Sequence, residues 1–92
     1  MKKKYVVIGL GDLGSRIAVA LGSTSAEVLA IDVDADAVED VKEHVSTAVK
    51  ADSTDEKALL SLGIDKTVDA AIISIGPDKF ENTVLTAVLL LQ

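Results

Sequence analysis

The chain contains no cysteine, which excludes a disulfide framework, a thiolate zinc site and a cysteine nucleophile, and which fits a cytosolic setting. Tryptophan is absent, and there is one tyrosine and one phenylalanine, so a core has to be built from Val, Ile, Leu and Ala. No apolar run approaches the roughly 20 residues of a membrane span, so direct membrane insertion is not expected. Met1-Lys2-Lys3-Lys4 has the charge of a signal-peptide start, but Gly9, Gly11 and Asp12 interrupt the apolar stretch behind it and exclude that reading. Basic charge is also scarce. With 9 Lys and Arg against 15 Asp and Glu, the formal net charge is −6, and nothing in the sequence forms a basic face able to neutralise nucleic-acid phosphates. What remains is a chain of 92 residues, 49% hydrophobic, which suits one small globular domain over residues 1–92.

One stretch organises the rest. Tyr5 to Ile8 is apolar without interruption, as expected of a parallel strand buried on both faces, and Leu13, Ile17, Ala20 and Leu21 then recur at helical spacing. Between them, Gly9-Leu10-Gly11-Asp12-Leu13-Gly14 forms G-x-G-x-x-G. Gly9 allows a sharp turn off the strand, Gly11 lets a diphosphate approach the backbone, and Gly14 lets helix and strand pack closely. The free N–H groups of the helix's first turn would face the anion, with the helix dipole favouring negative charge. A second apolar run, Glu27 to Ile31, ends at Asp32, 21 residues beyond Gly11, where a carboxylate would accept hydrogen bonds from a ribose diol. The competing role for Asp32 is to cap the helix that starts near Asp34.

Strand and helix alternate along the chain. The second helix is expected from Asp34 or Ala35 to about His44, with Ala37, Val38 and Val41 inward and Glu39, Asp40, Lys42 and Glu43 on a solvated face. Thr47 to Ala51 reads as a third strand, Asp55 to Leu62 as a helix closed by Gly63, and Asp69 to Gly76 as a fourth strand. Pro77 and Asp78 open a last helix that continues to the terminus. This βαβαβαβα order predicts an α/β, Rossmann-like parallel sheet in the order 3-2-1-4, with helices on both faces. The polar residues singled out then gather at one edge of the sheet. There, Asp52 and Ser53 at the third-strand tip would flank an adenine pocket, although Ser53 or Thr54 could equally cap the following helix.

Taken together, Gly9-Leu10-Gly11-x-x-Gly14, Asp32, Ala51-Asp52-Ser53-Thr54, Leu59-Leu60-x-Leu62-Gly63-Ile64, and Ile73-Ser74-Ile75-Gly76 with Asn82 resemble the N-terminal nucleotide-binding domain of RCK/KTN (TrkA-N) proteins. These are regulatory subunits of Trk and Ktr potassium-uptake systems. The resemblance runs from about Lys4 to Gln92. It implies a non-catalytic cytoplasmic sensor that binds NAD(H) or an adenine nucleotide (ATP, ADP or AMP), assembles as a homodimer or ring, and gates a membrane-embedded potassium transporter subunit. It also implies that Gly9, Leu10, Gly11 and Gly14, with backbone groups near Asp12 and Leu13, form the phosphate loop. Asp32 would hold the ribose, Asp52, Ser53 and Thr54 would border adenine, and Ile75-Gly76 would line the far side of the phosphates.

Two features depart from that pattern. Some members of the family carry Arg after the second glycine, where this chain has Asp12, a carboxylate that would repel a γ-phosphate. NAD or a nucleotide with less terminal charge is therefore expected over ATP, and Asp32 disfavours the 2′-phosphate of NADP. Family domains also continue with two further strands, so the chain reads as a shortened domain. In its last helix, Ala87, Val88 and Leu91 are expected to face the sheet. Val84, Leu85, Leu89 and Leu90 widen the apolar surface towards missing strands or a subunit contact. The reading of a different class is the N-terminal, NAD-binding fragment of an oxidoreductase, since such enzymes begin with the same unit. For that reading the chain offers little chemistry. Its sole histidine, His44, belongs to the end of the second helix, no nucleophile has an evident base partner, and there is no G-K-[ST] phosphate loop. No catalytic residue and no metal ligand is expected.

Overall fold

The computed structural model describes residues 2–64 and 67–91. Four parallel strands, β1 (Lys4–Ile8), β2 (Glu27–Asp32), β3 (Thr47–Lys50) and β4 (Ala70–Ile73), form one sheet in the order β3-β2-β1-β4. Between them lie α1 (Asp12–Gly22), α2 (Ala35–Val41) with a 3₁₀ turn at Lys42–His44, and α3 (Glu56–Ser61). A second 3₁₀ turn at Pro77–Lys79 leads into α4 (Phe80–Leu90). The expected strand order is the one observed.

The core follows the strand period of two. Val7, Val28 and Ala30 point to one face and join Leu10, Ala18 of α1, and Val38 and Val41 of α2. Val6, Ile8, Leu29 and Ile31 point to the other, where Val49, Leu62, Ile64, Ile75 and Leu90 cover them. Both sets of strand residues are buried because β1 and β2 are the central strands, each paired on both sides.

Local signals decide where the helices start and stop. Asp34 caps α2 by accepting a hydrogen bond from the Asp36 N–H, and Asp55 caps α3 through the Lys57 N–H. These residues, and not Asp32, Ser53 or Thr54, fill the capping roles. Gly63 ends α3 with φ +73°, as expected of a left-handed C-cap. The second helix is shorter than expected, giving way to the tighter 3₁₀ turn after Val41.

The face of α4 differs from the expectation. Val88 and Leu91 are 49% and 87% exposed, while Thr86 is fully buried and Leu90 packs against the sheet cluster. The helix is apolar nearly all round, so its composition does not select an inward stripe.

Candidate functional site

The glycine loop is shaped by backbone contacts that leave no room for side chains. Gly9 adopts φ +94°, and a Cβ there would stand 2.3 Å from the Ser74 carbonyl oxygen. Its N–H donates to the Ile31 carbonyl at 2.9 Å, while the Ser74 N–H donates to the Ile8 carbonyl at 2.7 Å, so the tips of β1, β2 and β4 are tied together around it. Gly14 packs α1 against the loop so closely that a Cβ would lie 1.8 Å from the Gly9 carbonyl oxygen. Gly11 is different. A Cβ there would meet nothing within 4 Å, so its surroundings are open. No side chain caps α1 at Gly11, which leaves N–H groups of the first turn to an external acceptor.

Asp32, at the carboxyl end of β2, is wired to this loop. Its Oδ2 accepts from the Leu10 N–H at 2.6 Å and its Oδ1 from the Asp34 N–H at 2.8 Å. An ionised carboxylate has about four acceptor positions, so each oxygen keeps capacity for a further donor. The same residue can thus fix the loop and receive a diol.

At the tip of β3, Asp52 Oδ1 accepts from the Thr54 N–H at 2.9 Å and from the Thr54 hydroxyl at 2.6 Å. The hydroxyl and then the N–H stabilise the ionised form, and together they hold the carboxyl below its ordinary value against a weaker opposing effect of burial. Ser53 turns the other way. It is 6% exposed, and its Oγ lies 2.8 Å from Thr86 Oγ1 of α4 in a buried pair.

These residues surround a cleft of about 580 Å³ along the carboxyl edge of the sheet. That volume lies within the range of about 300–1,000 Å³ usual for small-molecule sites, and large enough for a nucleotide. Gly9, Gly11, Asp12 and Leu13 form the wall after β1, Asp32 and Val33 follow β2, and Asp52 and Ser53 follow β3. Ser74, Ile75, Gly76, Lys79 and Asn82 close it on the β4 side. Of the residues expected at the site, Leu10, Gly14 and Thr54 are not on the wall. Leu10 buries its side chain in the core and presents its N–H to Asp32, Gly14 acts through packing, and Thr54 reaches the site only through Asp52. Ser53 is on the wall, but its hydroxyl is engaged with Thr86. Lys79 escaped the sequence reading because it lies three residues past Gly76 in a segment read simply as a helix start. Arg16 is exposed and off the cleft, and the carbonyl of His44 packs near Gly22 at the far end of α1. Among the described residues no group of three His, Cys, Asp or Glu side chains could hold a metal ion.

A family model, the TrkA-N domain, matches residues 5–92. The chain belongs to the TrkA-N domain family. Over 64 residues it is 47% identical to the Ktr system potassium uptake protein C of Bacillus subtilis (strain 168), covering 70% of this chain and 29% of that protein. Over 62 residues it is 42% identical to the Ktr system potassium uptake protein A of the same organism, covering 67% and 28%. A Ktr system potassium uptake protein A from Vibrio alginolyticus is 35% identical over 60 residues, covering 65% and 27%. The chain therefore matches less than a third of the length of these relatives. Among the described residues, no helix of this TrkA-N chain is long and apolar enough to cross a membrane.

Proposed function

We propose that this TrkA-N domain is the nucleotide-sensing part of a protein that regulates potassium uptake. In this reading it binds NAD(H) or an adenine nucleotide such as ATP, ADP or AMP, works without catalysis, assembles with further copies, and acts from the cytoplasm on a membrane-embedded transporter subunit. The observation that carries the reading is the convergence, in one cleft, of the open space at Gly11, the uncapped start of α1 and the carboxylate of Asp32. The likeness to Ktr potassium uptake proteins supplies the physiological context and favours this reading over an oxidoreductase fragment, which would share the same βαβ unit.

In the bound state, the phosphates lie over the loop from Gly9 to Leu13, the ribose hydroxyls donate to Asp32, adenine lies towards Asp52, and Ile75 and Gly76 form the opposite wall. Three carboxylates, those of Asp12, Asp32 and Asp52, line the cleft, which disfavours the most highly charged nucleotides.

The test is thermal stabilisation by NAD+, NADH, ATP, ADP and AMP, because a ligand that binds only the folded state raises stability by RT ln(1 + [L]/Kd). At least one is expected to shift the transition. Asp32→Ala should then weaken that ligand by about 1.5–3 kcal/mol through lost charge-assisted hydrogen bonds. Unchanged affinity in a folded variant would remove the ribose role.

A further inference from the structure

The cleft contains three carboxylates and, among the described residues lining it, one cationic side chain, Lys79. Its place in the fold is specific. The tips of the strands run in the order β3, β2, β1, β4, so the cleft passes from Asp52 to Asp32, then to the glycine loop, and finally to the turn that carries Gly76 and Lys79. Asp52 and Asp32 border the nucleoside end, and Lys79 stands at the opposite end, beyond the loop that receives the first phosphate.

We propose that Lys79 is a specificity-determining residue that selects nucleotides carrying a second phosphate. This inference rests on the nucleotide-binding reading above. A phosphate beyond the first would otherwise enter a field set by Asp12, Asp32 and Asp52, and by Asp78, whose carboxylate lies beside Gly76, with no other positive side chain among the described lining residues to offset it. An ammonium at the distal end offsets that field where the extra charge arrives, and there it can donate a charge-assisted hydrogen bond to a phosphate oxygen.

Among the described residues, no hydrogen bond or ion pair of the Lys79 side chain is seen. Lys79 is exposed, takes part in none of the ion pairs seen among the described residues, and makes no side-chain cap for α4. Its backbone is engaged on both sides, the N–H donating to the Gly76 carbonyl at 2.9 Å and the carbonyl accepting from the Thr83 hydroxyl at 3.4 Å. Replacing the side chain therefore leaves the local backbone contacts intact. The other cation close in sequence to the loop, Arg16, does not line the cleft, so it does not duplicate the role.

The experiment is calorimetric titration of the full chain and of Lys79→Gln with AMP, ADP and NAD+ at low and high salt, with the melting temperature as a check on folding. Lys79→Gln is expected to weaken ADP and NAD+ about five- to tenfold, and AMP by less than about twofold, with the preference for the second phosphate shrinking in the wild type as salt rises. Lys79→Arg should restore most of the loss. If the wild type binds nucleotide but Lys79→Gln lowers all three affinities equally, or none, the role of Lys79 is overturned while the nucleotide-binding reading stands. If the wild type binds none of the three, the functional reading fails first and the role of Lys79 with it.

Discussion

The two faces of the sheet use alternate residues of the same central strands, yet they are covered to different degrees. On the first, Val7, Val28 and Ala30 meet Ala18, Val38 and Val41, all of them buried, so α1 and α2 close that face. On the second, Val6, Ile8, Leu29 and Ile31 are buried, but most of what covers them is only partly so. There α4 leaves Val84, Leu85, Val88 and Leu91 exposed. The difference follows from topology. Helices α1 and α2 each connect two neighbouring strands and lie over the middle of the sheet, whereas α4 follows β4, which is paired on one side only. Local opening costs least where the fewest apolar contacts are buried. The cleft straddles this difference, with one wall at the start of α1 and the other leading into α4.

The largest expected effect comes from breaking the closed face where it meets the loop. Gly14→Ala sets a Cβ against the Gly9 carbonyl and forces α1 away, which should cost about 3 kcal/mol or more in denaturant unfolding. Gly11→Ala is the control, three positions before Gly14 at the N-cap of the same helix. Gly11 has φ −69°, which any residue adopts, and free space around it, so stability should change by less than about 0.5 kcal/mol. Equal losses at the two glycines would contradict their separation into a packing glycine and an open one.

The two faces should respond differently to the same substitution. Val7→Ala empties a fully buried position on the closed face and should destabilise by about 2–3 kcal/mol. Val88→Ala, at a half-exposed position on α4, should cost less than about 0.5 kcal/mol. A large cost at Val88 in the isolated chain would show that α4 is covered in solution, by another copy or otherwise.

A loss smaller than those at Gly14 and Val7 is expected at the hydroxyl pair that ties α4 to the cleft. Ser53→Ala leaves the buried Thr86 hydroxyl without its partner and should cost about 1–2 kcal/mol. Adding Thr86→Val removes the orphaned group, so the double variant should recover part of the loss. A double variant that is simply additive would mean that the two hydroxyls do not depend on each other.

Much of this arrangement is legible in the sequence because its signals are local. The apolar runs, the glycine spacing and the acid at Asp32 specify strand, loop, helix and strand in register, and the βα alternation then leaves few windings open. The tip of β3 is less legible. Asp52, Ser53, Thr54 and Asp55 are four consecutive residues able to cap a helix, and local chemistry does not rank them. The fold makes Asp55 the cap, with its N–H donating to the Asp52 carbonyl at 3.0 Å, and leaves Asp52 to bind Thr54.

By itself, the sequence determined the strands, their order, the glycine loop and the placing of Asp32 at the sheet edge, because each depends on steric or periodic rules acting within a few residues or on the right-handed βα repeat. Only the tertiary structure decided which face of α4 turns inward and what Ser53 does. The helix is apolar on every side, so its periodicity holds no instruction. Its one buried polar residue, Thr86, faces the sheet because a hydroxyl 33 positions earlier in the chain is there to meet it.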